Sequence, residues 1–137
     1  ALRQFDTPRA IYDSPSSVFV ATFLGKPKAN EFTGICEKGE FRCELGFTMK
    51  CPALLIGKVL LLIRPERMRP SSSGILAGDV ISTEYQGNRT VLHFDCKGRR
   101  YAAVTSERPE SISRLVLYDI PFEDAMWFDA TTCVRLA

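Results

Sequence analysis

No G-x-x-x-x-G-K-[ST] segment occurs in this sequence, so the loop whose backbone N–H groups cradle nucleotide phosphates is missing from it. G-x-S-x-G is absent too, as is any G-x-G-x-x-G behind a strand pattern. Histidine occurs once, at His93. It lies inside an alternating strand pattern without an evident acid–base or metal partner, and reads as a hydrogen-bonded sheet residue. No apolar run approaches the roughly 20 residues of a membrane span. The longest, Ala53–Ile56, resumes after Gly57-Lys58 as Val59–Ile63 and carries that lysine in its middle. Charge of one sign is also scarce. A net +2 is too small to imply a nucleic-acid partner.

Cysteine is present but without a framework. Cys36, Cys43, Cys51, Cys96 and Cys133 form an odd, scattered set with no C-x2-C and no nearby histidine, which excludes the usual zinc spacings. They read as buried free thiols in a reducing compartment, with metal binding or redox sensing as the alternatives. Arg3, Asp6 and Arg9 interrupt any secretory leader. The chain starts at Ala1 rather than Met, and a fragment of a longer protein is the expectation.

What is present suits one compact domain, or one domain with an appended element: 137 residues, 45% hydrophobic and 25% charged. Thr7-Pro8 reads as an N-cap with proline at the first helical position, and Ser14-Pro15 stops that turn. Ser16-Ser17 caps a second short helix ending at Gly25, with Phe19, Val20, Phe23 and Leu24 on its apolar face. Beyond Gly25 the period changes to that of strands, expected near residues 32–36, 40–45, 58–64, 78–85, 90–96, 99–105 and 113–120. Glu37-Lys38-Gly39-Glu40 and Cys96-Lys97-Gly98-Arg99 read as hairpin turns needing positive φ, and Gln86–Arg89 plays the same part. The serine-rich loop 70–74 is expected to divide the strand region. Short strands at this spacing predict a mainly β fold, a small antiparallel barrel or sandwich behind a short N-terminal helical segment.

Few residues offer chemistry. Glu123-Asp124, in a loop after Pro121, reads first as a solvated turn, with a site for a cation or polyamine as the alternative. Lys97, Arg99, Arg100 and Tyr101 form a basic tip with one aromatic, short of the several aromatics a single-strand platform requires. Arg64-Pro65-Glu66 sets opposite charges around a rigid proline at the end of an apolar strand, as a fixed corner or an interface would.

Three segments together carry a resemblance. Residues 6–25, with T-P-x-x-I-Y, then P-x-x-x-F-V-A-x-F-L-G, are extended by Pro27 and Asn30. Ile63-Arg64-Pro65-Glu66 follows, then Gly78-Asp79-Val80 through Tyr85-Gln86-Gly87. In this order they resemble the junction and C-terminal region of importer-class ABC transporter ATP-binding subunits, including the TOBE segment, an oligonucleotide/oligosaccharide-type (OB-like) barrel. The resemblance implies a helical junction over residues 1–25 trailing from an upstream ATPase domain, and a TOBE/OB-like β domain over 26–137. It further implies a regulatory and dimerisation role on the cytoplasmic face of the membrane, with no catalysis by this chain. ATP and Mg would be bound by the upstream domain, so no cofactor is expected here. Implied partners are the chain's own ATPase domain, a second copy, permease subunits through the parent protein, and the transported solute or a regulatory protein; no nucleic acid is expected. Phe19, Val20, Phe23 and Leu24 would be the docking face, and Arg64 and Glu66 interface or corner residues. A solute-sensing small-molecule module is the alternative. The sequence departs from the family pattern in Ser111–Arg114, in its cysteines and in the bulky Met126-Trp127-Phe128, so no ligand site is carried over to the last third.

Overall fold

The computed structural model describes residues 28–137. The expected N-terminal helices, and with them Phe19, Val20, Phe23 and Leu24, lie outside the described residues. Ten strands follow: β1 Asn30–Glu37, β2 Glu40–Cys43, β3 Thr48–Lys50, β4 Gly57–Ile63, β5 Arg69–Pro70, β6 Leu76–Tyr85, β7 Thr90–Cys96, β8 Arg99–Thr105, β9 Leu115–Asp119 and β10 Met126–Asp129. The architecture is mainly β, with antiparallel sheets and a curled, OB-like half-barrel.

The chain divides into two compact units, one running to Ile63 and completed by Ala125–Ala137, the other formed by Arg64–Asp124. The division therefore falls at Ile63/Arg64 and after Asp124, not at the 70–74 loop. That loop lies inside the second unit, where Ser71 N–H donates to Leu117 O and Gly74 N–H to Ser71 O. Gly74 presses on the chain at Tyr118 so closely that a Cβ would lie 2.6 Å from the Tyr118 nitrogen.

The first unit orders its strands β10-β4-β1-β2-β3. In β1 the side chains alternate strictly: Asn30, Phe32, Gly34 and Cys36 are buried, while Glu31, Ile35 and Glu37 are exposed. Lys38 and Gly39 take φ of +50° and +78°, the two left-handed central positions of a type I′ hairpin closed by Glu37 and Glu40. In a flat sheet β2 and β10 would be about 14 Å apart, three strand spacings. The Phe41 and Trp127 rings nevertheless meet edge to face with centroids at 5.3 Å, so the sheet curls. Gly34 allows this, because a Cβ there would reach within 2.7 Å of the Phe41 ring. The opposite face is buried around β4 and β10 as well, where Ala29, Leu62, Met126 and Phe128 cluster. Burial on both faces explains why β4 reads as a continuous apolar run rather than an alternation.

β10 was not expected from the sequence, which presented Met126-Trp127-Phe128 as a bulky tail. It pairs with β4, Trp127 opposite Leu61. The chain then turns back on it. Trp127 exchanges backbone hydrogen bonds with Leu136 and Ala137, and Asp129 accepts from the N–H groups of Thr131 and Thr132 at 2.8 and 2.7 Å.

The second unit orders its strands β5-β9-β6-β7-β8. A bulge between Val80 and Ser82 breaks the β6–β7 register. Leu92, Phe94, Tyr101, Ala103 and Tyr118 fill the interior, with the Phe94 ring stacked on Tyr118 at 5.4 Å and tilted against Tyr101 at 6.0 Å. Gly78 leaves room for Phe94; a Cβ at that position would also stand 2.8 Å from the Asp95 carbonyl oxygen.

Candidate functional site

Arg64 stands where β4 ends, extended at φ −67° and ψ 140°, and Pro65 begins the 3-10 turn Pro65–Arg67. The Arg64 carbonyl accepts the Arg67 N–H at 2.9 Å, which fixes the corner. Arg64 is buried, at 5% exposure, while Glu66 is exposed. The two therefore share a turn but not an environment.

Glu123 and Asp124 occupy the 3-10 turn Phe122–Asp124. Neither points its charge at open solvent alone. Arg69 donates to Glu123 Oε1 at 3.2 Å, and Arg67 Nη1 lies 3.7 Å from Asp124 Oδ1. A hydrogen bond from its own backbone, then Arg69, hold the Glu123 carboxyl below the usual carboxylate value. The acidic pair is thus an ionic clasp onto the basic stretch Arg67–Arg69. Sequence reading missed its partners, which lie more than fifty residues away.

His93 is a half-buried β7 residue opposite Ser82 and Ala102. Tyr101 turns its ring inward against Phe94, which removes the only aromatic from the basic tip at Lys97, Arg99 and Arg100. All five cysteines are free. Burial, then the neighbouring Cys51 thiol, push the Cys36 thiol up to about 12. Burial raises Cys96 as well. Such thiols stay protonated and are poor nucleophiles. Among the described residues no cluster of histidine, cysteine and carboxylates is arranged to hold a metal.

One cavity of about 170 Å³ opens in the second unit, at the mouth between β7, β8 and β9. Leu92, Thr105, Val116 and Tyr118 form its inner wall, and the β8–β9 connection closes it with Glu107, Ser111 and Ser113. Two hydrogen bonds pin the Glu107 backbone: its carbonyl accepts from Thr90 Oγ1 at 2.6 Å, and its N–H donates to Thr105 Oγ1 at 3.2 Å. Tyr118 is 4% exposed, and burial, followed by the Glu107 charge, raises its hydroxyl pKa. Sequence reasoning gave no signal for this cavity, although two of its polar residues, Ser111 and Ser113, lie where the chain departs from the family pattern.

A barrel-like β unit entered through Ile-Arg-Pro-Glu and built around Gly78 defines a class. Residues 61–116 match the TOBE domain, a span from the end of β4 into β9. The chain carries a TOBE domain, and along most of its length it is similar to the ATP-binding subunits of ABC importers. Over 140 residues it is 31% identical to the sn-glycerol-3-phosphate import ATP-binding protein UgpC of Ruegeria sp. (strain TM1040), covering 99% of this chain and 40% of that protein. It is 37% identical over 100 residues to the spermidine/putrescine import ATP-binding protein PotA of Ruegeria pomeroyi, 68% of this chain and 27% of the relative. With the Fe(3+) ions import ATP-binding protein FbpC 3 of Rhodococcus jostii it shares 29% identity over 113 residues, 82% of this chain and 31% of the relative. The chain thus spans well under half the length of these curated relatives. None of its helices is long and apolar enough to cross a membrane, among the described residues.

Proposed function

We propose that this chain is the regulatory and dimerisation region of an ABC importer ATP-binding subunit, and that it contributes assembly rather than catalysis. The observation that carries this reading is the similarity of 99% of the chain to an import ATP-binding protein, in a sequence without a phosphate-cradling loop. In the parent protein an upstream domain would bind ATP and Mg and drive permease subunits from the cytoplasmic face of the membrane. This region would hold two subunits together through the cycle. A solute or regulatory protein that favours one arrangement of the dimer would tune hydrolysis by its differential affinity for the two arrangements. Phe19, Val20, Phe23 and Leu24 would dock on the ATPase domain, with Arg64 and Glu66 setting the corner.

Light scattering after size exclusion tests the assembly role. A dimer near twice 15.3 kDa that persists on dilution is the expected result. A monomer at every concentration would remove self-association within these residues from the reading. For the docking face, Phe19→Asp/Phe23→Asp in the full-length subunit is expected to impair assembly and ATPase activity; unchanged values would defeat that assignment.

A further inference from the structure

We infer that Cys36 and Cys51 form a latent disulfide pair, which a peroxide converts to a bond tying the end of β1 to the chain leaving β3. Strand register puts the two on one face. Cys36 lies opposite Phe41, and Phe41 opposite Met49, two residues before Cys51. Partners across antiparallel strands share a face, as do alternate residues along one strand. The Cys51 N–H donates to Gly39 O at 3.0 Å, extending the β2–β3 ladder one step past Lys50. Gly39 has no side chain to stand between the Cys51 thiol and Cys36. Both thiols are buried, at 0% and 1% exposure, and they are hydrogen-bonded to each other.

The other cysteines are placed differently. Cys96 belongs to the other unit, Cys43 lies opposite Gly34 with its sulfur accepting the Leu45 N–H at 3.5 Å, and Cys133 is half-buried. While the sheet is closed, the pair stays protonated and sheltered. β3 is three residues long and lies at the sheet edge, where local opening costs least. Opening there uncovers Cys51 first. Its thiolate attacks a peroxide oxygen, the O–O bond breaks, and Cys51 becomes a sulfenic acid as one water leaves. Cys36 then attacks that sulfur, and the hydroxyl departs as the second water. Two thiols and one hydrogen peroxide thus become one disulfide and two waters, the peroxide taking both electrons. The bond closes the loop from Cys36 to Cys51 and constrains the unfolded chain. A thiol reductant reverses it by exchange. The device lies within the first unit and does not depend on whether the chain dimerises.

The test treats the folded, reduced chain with hydrogen peroxide in the absence of urea until Cys133 is oxidised. The chain is then quenched, denatured in iodoacetamide to block every remaining thiol, and mapped by mass spectrometry of an unreduced digest. A peptide joining Cys36 to Cys51, two hydrogens lighter than its parts, is expected. The oxidised chain should show a higher urea midpoint than the reduced one, and dithiothreitol should restore the lower value. Cys51→Ala should lose both the cross-link and the midpoint shift, and the map of the unaltered chain decides even where that variant is unstable. A bond between any other pair, alkylated Cys36 and Cys51 after Cys133 is oxidised, or a Cys36–Cys51 bond formed only in urea would overturn the assignment.

Discussion

Gly34 and Gly78 each lie beneath an aromatic ring, and at these two positions the missing side chain shapes a core. Gly34 gives the Phe41 ring its path toward Trp127, and Gly78 does the same for Phe94 beside Tyr118. A methyl group at either position must displace a ring or a strand. Gly34→Ala is expected to destabilise the chain by about 1–3 kcal/mol, the usual range for overpacking, measured as a shift in the urea midpoint. Titration adds a second residue-level expectation. The folded state keeps the Cys36 proton up to about 12, whereas an ordinary thiol loses it near 9.0. Between those values the unfolded chain binds fewer protons, so stability declines as pH rises above 9. Raised Cys96 and Tyr118 act in the same direction. Urea midpoints from pH 8 to 11 should fall, and Cys36→Ala should flatten the slope. At the acid end the sign reverses for Asp129, whose carboxyl is lowered by the N–H groups of Thr132 and Thr131. Its contribution is full above the ordinary Asp value and fades as pH falls through the folded one, so Asp129→Asn should reduce acid sensitivity in the same measurement.

Elements were legible in proportion to how simple their surroundings are. β7 and β8 could be read to the residue because Leu92, Phe94 and Cys96 are buried at every second position with His93 and Asp95 half-buried between them, and because Lys97-Gly98 takes both positive φ angles of a type I′ turn, +52° and +83°. β5 is two residues long and contains a proline, leaving no period to detect. β10 buries both faces at once, so Met126-Trp127-Phe128 shows no alternation although every residue is inside. The surroundings of the candidate sites were hidden for a different reason. Glu123 and Asp124 look like an open acidic pair until the fold brings Arg67 and Arg69 beside them, and no local pattern records so distant a partner. The cavity is assembled from three strands and a connection, and likewise leaves no trace in any one segment. Trp127 is the only tryptophan and is 2% exposed. Trp127→Ala should cost about 3–5 kcal/mol by the usual aromatic-to-alanine range, measured by urea unfolding. In the unaltered chain its emission should shift red when the first unit unfolds.

At the scale of the molecule, the first unit depends on a strand that follows the second unit in sequence. β4 is covered on one edge by β1 and on the other by β10. A chain ending at Asp124 would expose the β4 edge together with the apolar face around Leu62. Unpaired apolar strand edges invite association. That truncated chain is expected to aggregate at concentrations where the full chain stays dispersed, as turbidity and light scattering would report.

The insertion of Arg64–Asp124 also sets a timetable for biosynthesis. Ribosomes add about 5–20 residues per second. β1 to β4 therefore wait roughly 3–12 s while those 61 residues are added, before the codons for β10 are read. Through that interval the nascent chain carries an incomplete sheet with an apolar edge, a period in which a trigger-type chaperone would have its substrate and a synonymous slow codon would have its cost.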